Sequence, residues 1–295
     1  MADPKRAVPE NVAGDFFVDN TCINCDTCRQ LAPHTFLDAG ETSCVQAQPV
    51  TADQQREALR ALLACPTASI GTRSKNKSSE VVADFPLKIH GDVYYCGFNS
   101  EKSYGGNSFF VKHADGNWLI DSPRFVSALV KKFKTLGGIK YIFLTHQDDV
   151  ADAHKFAAEF GAKRIIHKFD AKAQPDCEII INDDTAVSFA PDFQIIPVPG
   201  HTKGHIVLLY ENLYLFSGDH LFFDPGLQKL SATRTYCWYS WEEQTESMAK
   251  LAKFDFEWIL PGHGRRIHLS KKKVHEQMLE LVERMRLPAC QWDEE

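Results

Sequence analysis

The sequence predicts an α+β protein built in two parts, a small cysteine-bearing unit followed by two sheets faced by helices. Three observations carry that expectation. A run of thiols, Cys22-x2-Cys25-x2-Cys28, is completed by Cys65-Pro66. A polar stretch without apolar period, Arg73–Glu80, reads as a linker. From about Asp84 onward, short alternating segments, hairpin turns and amphipathic stretches take over. The boundaries read as 1–75 for the first domain, 76–84 for the linker and 85–295 for the second domain.

The elements follow in order. Thr51-x-x-Gln54 has the form of a capping box and predicts a helix over Ala52–Leu63, with Leu59, Leu62 and Leu63 on one face. That helix delivers Cys65. Ser108–Lys112 and Trp118–Asp121 flank Ala114-Asp-Gly-Asn117 and predict a hairpin. Ser122-Pro123 predicts the start of a helix that stops at Gly137-Gly138. Ile139–Thr145 reads as a buried strand that delivers His146, followed by a helix over Val150–Phe160 and a strand over Arg164–His167. Cys177–Ile181, Ala186–Phe189 and Gln194–Val198 read as strands, and His205–Tyr210 pairs with Leu213–Ser217 across Glu211-Asn212. Ser240-x-x-Glu243 caps another helix, and a last amphipathic helix runs from Ser270 to about Arg286.

Composition limits the function classes. Among 295 residues, 44% are hydrophobic and 24% charged, the balance of an ordinary soluble globular protein. No apolar run approaches the length of a membrane span. A net charge of −6 argues against nucleic acid, and Lys271-Lys-Lys273 reads as a solvated helix start. Nine cysteines without an apolar leader (the chain opens Met1-Ala-Asp-Pro-Lys-Arg) point to a reducing intracellular compartment. Cytoplasm fits, as does chloroplast stroma if a transit peptide was removed.

Four thiolates around one centre suit an iron–sulfur cluster. Cys22, Cys25 and Cys28 wrap one side and Cys65 supplies the fourth ligand. Zinc is the rival, but its four-cysteine cages usually use two Cys-x2-Cys pairs, and this chain has no second pair. Cys44, between the ligands, reads as a small buried hydrophobe. The stretch Cys22-Ile-Asn-Cys-Asp-Thr-Cys28, with Ala32-Pro33, Phe36 and Cys65-Pro-Thr-Ala-Ser-Ile70, resembles single-cluster bacterial-type ferredoxins over residues 14–71. The resemblance implies one [4Fe–4S] cluster.

A second set of motifs follows: Thr145-His146-x-Asp148, Pro199-Gly200-His201, Ser217-Gly218-Asp219 and Pro261-Gly262-His263-Gly264. Each ends a predicted strand and places a metal-capable side chain in a loop. Four such motifs in this order resemble the metallo-β-lactamase superfamily, which includes glyoxalase II and the persulfide dioxygenases. That likeness implies an αββα sandwich over residues 85–270 and a bracing role for Asp121. The family's leading motif is His-x-His-x-Asp-His, whereas this chain reads His146-Gln-Asp148-Asp-Val150-Ala151. Val150 and Ala151 cannot bind metal, so one of two metal positions is lost unless Asp152 or His154 substitutes. His146, His201 and Asp219 remain, a two-imidazole, one-carboxylate set suited to a single iron or to zinc. Asp148 reads as a fourth ligand or an acid/base group, and His263 as a substrate contact or a metal contact through water. The likeness also implies that His205 braces its loop. Tyr236, Trp238 and Tyr239 are candidates for a pocket wall, and Arg234 for holding an anionic group.

Three functions stay open. The fusion favours redox chemistry at a mononuclear iron fed by the cluster, since hydrolysis needs no electron donor. The alternative is a metal-dependent hydrolase of thioesters or esters, with a structural or sensing cluster. The third is a non-catalytic electron carrier or sensor. The partners implied are a redox partner protein or a small-molecule substrate, with no nucleic acid and no membrane.

Overall fold

A computed structural model describes residues 2–74 and 77–288. Cys290 and the Lys75-Asn76 part of the expected linker lie outside the described residues. The chain forms two compact units. One runs through Tyr141 and takes up Ala151–Ala162; the other holds Ile142–Val150 and the described chain from Lys163 onward.

In the first unit, Phe16–Val18 pairs antiparallel with Ile70–Thr72 and draws the ends of the cysteine-bearing segment together. Phe36–Asp38 and Ser43–Val45 form a hairpin beside it. The predicted capping box is present: Thr51 accepts the Gln54 N–H, and the Gln54 side chain accepts the Thr51 N–H. The helix spans Ala52–Ala64 and buries Ala58, Leu59, Ala61 and Ala64. Phe16, Val18, Phe36, Val45, Leu59 and Ile70 form its apolar core. Val81 joins that core, and Asp84 receives the guanidinium groups of Arg56 and Arg60. Residues 78–84 are therefore tied to the helix by apolar burial and by charge.

The same unit continues with four antiparallel strands, Leu87–His90, Val93–Tyr95, Phe109–Val111 and Trp118–Ile120. The helix expected at Ser122-Pro123 begins instead at Ser127 and ends at Thr135. Tertiary bonds hold residues 122–126 out of the helix. The Arg124 N–H donates to Phe98 O and the Phe125 N–H to the Asp152 carboxylate. The helix ends where predicted, with the Gly138 N–H donating to Phe133 O. Ala153–Phe160 is a further helix. It starts after Val150 because Gln147–Asp149 takes a tighter 3₁₀ turn first.

The second unit holds a mixed six-stranded sheet. Its strands, in spatial order, are Val187–Ala190, Phe193–Pro197, Ile206–Tyr210, Tyr214–Gly218, Trp258–Pro261 and Ile267–His268. Tyr214–Gly218 and Trp258–Pro261 run parallel; the other neighbours are antiparallel. Lys163–His167 pairs in parallel with Ile179–Ile181. Glu211 and Asn212 both take left-handed backbone and close the hairpin expected there. Helices Trp241–Leu251 and Lys271–Met285 are capped by Ser240 and Ser270 and bury Met248, Leu251, Met278 and Leu281 against the sheet's Val207, Leu209 and Leu215. Among the described residues, no helix is long and apolar enough to cross a membrane.

Candidate metal centres

Cys22, Cys25, Cys28 and Cys65 line one cavity, together with Val18, Ile23, Ser43 and Pro66. The loop between them turns sharply because Asn24 and Asp26 take left-handed backbone, which these two residue types tolerate best after glycine. Two ligand sulfurs accept backbone hydrogen bonds, Cys22 Sγ from the Ser43 N–H at 3.4 Å and Cys65 Sγ from the Ser69 N–H at 3.3 Å. Burial pushes the Cys25 thiol up to about 11 and the Cys28 thiol still higher. Left to themselves these sulfurs stay protonated, and a bound cationic metal is what holds them as thiolates. Four sulfurs on one cavity, with N–H groups aimed at two of them, fit a cluster. Cys44 does not line the cavity and packs in the apolar core.

The second centre assembles in the other unit from four strand ends. His146 follows the strand Tyr141–Phe143, and its Nδ1 meets Thr145 Oγ1 at 2.9 Å. That contact turns Nε2 toward Asp148 Oδ2 at 3.8 Å and Asp219 Oδ2 at 3.7 Å. His201 Nε2 lies 3.5 Å from the same Asp148 oxygen and 3.7 Å from the same Asp219 oxygen. Bonds of about 2.1 Å put neighbouring ligand atoms of a tetrahedral ion about 3.4 Å apart, close to these spacings. His146 Nε2 is fully buried and finds no hydrogen-bond partner among the described residues. The donor set therefore fits one metal ion.

Local structure explains how the side chains reach each other. Gly218 ends the strand before Asp219 with left-handed backbone, and a Cβ there would fall 2.7 Å from both His205 Nε2 and Thr145 Oγ1. His205 Nε2 accepts the Asp219 N–H at 3.2 Å, and its ring stacks on that of His146 at 4.9 Å. His205 is thus the loop brace expected from sequence. His263 Nδ1 lies 2.8 and 2.9 Å from the two Asp219 oxygens.

Protonation states favour metal binding. Burial pushes His146 down to about 4, so its ring is neutral at neutral pH. Burial alone would raise the Asp219 carboxyl, but the charge and hydrogen bond of His263 hold it well below the carboxylate range. The His201 imidazole, 3.5 Å away, holds Asp148 below its ordinary value.

The structure brings His146, Asp148, His201 and Asp219 together, with His263 attached through Asp219. It also brings in Asp149, which sequence reasoning passed over. Asp149 is buried, and His146, Asp149 and Asp219 form a second group with metal-ligand spacing. The signal was its place beside Asp148 in the turn after a ligand-bearing strand. Asp152 is committed elsewhere: its carboxylate binds Lys102 Nζ at 2.9 Å, Lys155 Nζ at 3.0 Å and the Phe125 N–H at 3.0 Å. His154 is exposed on its helix. Asp121 is buried at the end of Trp118–Ile120, with left-handed backbone.

Tyr236, Trp238 and Tyr239 are exposed, Trp238 to 62%. The Trp238 N–H donates to His201 O at 2.9 Å, which fixes the aromatic loop to the metal loop. Tyr239 walls a cavity of about 410 Å³ with His167, Phe169, Lys203 and His205. Arg234 stacks on the Trp241 ring at 5.6 Å.

Fold and site define a metal-dependent superfamily, and comparison with known proteins agrees. Residues 103–263 match the family model described as the metallo-beta-lactamase superfamily, and the chain belongs to that superfamily. Residues 18–72 match the 4Fe-4S single cluster domain of ferredoxin I, so this is an iron–sulfur member with a small ferredoxin-like region ahead of the lactamase fold. Curated relatives are hydroxyacylglutathione hydrolases. The one from Acidiphilium cryptum is 29% identical over 119 residues, covering 39% of this chain and 49% of that protein. The one from Shewanella pealeana is 30% identical over 143 residues, covering 46% and 51%. The chain spans about half the length of these relatives. Among solved structures, the metallo-beta-lactamase FIM-1 from Pseudomonas aeruginosa in its mono-zinc form superposes with a TM-score of 0.54 at 18% identity, covering 68% of this chain and 95% of that one. BLEG-1 B3 metallo-beta-lactamase gives 0.51 at 16% identity, covering 66% and 100%. These two likenesses are of fold alone.

Proposed function

We propose that the protein is an oxidoreductase that works at a single non-haem iron held by His146, Asp148, His201 and Asp219, with the [4Fe–4S] cluster exchanging electrons with it. The observation that carries this reading is the donor set itself: two imidazole nitrogens, each 3.5–3.8 Å from the same two carboxylate oxygens. A carboxylate at Asp148 replaces an imidazole of the family motif and makes the set harder, which suits iron better than zinc. Iron there would supply one-electron chemistry, and the same chain carries a one-electron cofactor. The protein's own part is to hold His146 neutral by burial and Asp219 ionised by His263. Asp148, whose side chain is 45% exposed, leaves one side open to a small-molecule substrate. A redox partner protein would supply the cluster.

Anaerobic purification followed by metal analysis and EPR tests this. The expected result is iron beyond the about four atoms of the cluster, with a mononuclear signal that responds to reduction of the cluster. Zinc in place of that extra iron, with iron present only as cluster, would overturn it. The named relatives favour a second reading, hydrolysis of a thioester by metal-bound hydroxide. Acyl-thioester turnover that is indifferent to the redox state of the cluster would select it.

A further inference from the structure

We propose that Arg124, which belongs to the lactamase-fold part of the chain, is the counter-cation of the iron–sulfur cluster and raises its reduction potential. The inference rests on the cluster and not on the reaction assigned to the His/Asp site, so either can fail alone.

Arg124 crosses to the ferredoxin-like region. Its Nη2 donates to Leu63 O at 2.9 Å and to Cys65 O at 3.2 Å, at the end of the helix that delivers the fourth thiolate. Arg29, bonded to Ser43 of the cavity wall, and Arg124, bonded to Cys65, differ in their partners. Arg29 is neutralised by carboxylates, Asp26 at 2.7 Å and Asp38 at 3.2 Å. Arg124 has no carboxylate within ion-pair distance among the described residues, and its buried Nε finds no hydrogen-bond acceptor. A guanidinium is seldom withdrawn from water without an anion, because an unpaired desolvated charge is costly. The residue whose carbonyl it holds, Cys65, is a cluster ligand, so the charge of a bound cluster would lie beside it.

The same lactamase-fold segment closes a second flank. Gly105 lies so near Cys25 that a Cβ there would sit 2.7 Å from the Cys25 Cβ and 2.9 Å from its Sγ. Asn99 Nδ2 fastens this contact by donating to Gly105 O at 2.7 Å and to Thr27 Oγ1 at 3.1 Å. Residues outside the ferredoxin-like region therefore pack directly against a cluster ligand.

Reduction adds one electron to the cluster and so one negative charge. A fixed cation beside Cys65 stabilises the reduced state more than the oxidised one. A plain structural reading is also available, in which Arg124 only caps the carbonyls at the helix end. The two readings separate in the potential. R124Q keeps N–H donors for the carbonyls and removes the charge; R124K keeps the charge and loses the planar fork. EPR-monitored redox titration of the full chain with its cluster reads both. The expected result is an R124Q potential lowered by about tenfold in the reduced-to-oxidised ratio, or about 59 mV for one electron, with R124K close to wild type. An R124Q potential equal to wild type would overturn the proposal. So would an R124K potential lowered by tenfold, and that result stands even if R124Q fails to retain its cluster.

Discussion

The cysteine site and the His/Asp site solve opposite problems. The cysteine ligands lie between Cys22 and Cys65, on a loop and a helix end. The His/Asp ligands come from strand ends spread between His146 and Asp219, with His263 beyond. Burial holds Cys25 and Cys28 as thiols, a protonation state that opposes metal. Burial and neighbouring charge hold His146 neutral and Asp219 ionised, the states a metal needs. The first site is therefore made by its cofactor, whereas the second is set in advance by the sheet that carries it.

The largest expected effect follows from the first half of that contrast. C28A removes a buried ligand, so the cluster's iron and its EPR signal should be lost. The ferredoxin-like region should lose its slow hydrogen exchange, because its core is small. Chelation of the His/Asp metal, by comparison, should leave exchange in the six-stranded sheet unchanged. A C28A protein with normal exchange protection in residues 16–72 would break the comparison.

Next come the His/Asp ligands. H201A should weaken metal binding there by more than about 100-fold, above the range usual for outer contacts, while the cluster signal persists. H263A acts through Asp219 and should cost about 10–100-fold in metal affinity. Equal losses for both variants would mean that His263 is itself a ligand. Titration with Fe(II) or Zn(II), followed by competition with a chromophoric chelator, gives these affinities.

The same contrast explains what could be read from sequence. Cysteine spacing is a local property, so Cys22, Cys25, Cys28 and Cys65 were legible, as was the Thr51/Gln54 capping box. His146, His201 and Asp219 were legible because their motifs end strands and together resemble a known superfamily, and Asp148 because it stands where that motif has a ligand; sequence carries no distance between them. Contacts between remote segments were not legible. The helix starts at Ser127 because Arg124 and Phe125 bond to Phe98 and Asp152. Asp149 escaped notice because no spacing rule separates it from Asp148, and only burial in the turn does.

Asp152 offers the smallest and most discriminating test. It follows Val150-Ala151, where a second metal's ligands would stand, so sequence makes it a candidate substitute. Its carboxylate is instead held by Lys102, Lys155 and the Phe125 N–H. Burial would raise its pKa, but these three donors outweigh burial and bring it down from 3.8 to about 2. A depressed carboxyl stabilises the fold fully above pH 3.8, and that contribution fades as pH falls through about 2. D152N should cost about 1 kcal/mol near pH 7, discounted because both lysines are half exposed. Urea unfolding should show the gap between wild type and D152N shrinking below about pH 4. Metal content of D152N should equal that of wild type. A metal loss in D152N would return Asp152 to the candidate ligand set, and the contrast between a cofactor-made cluster site and a preset His/Asp site would no longer hold.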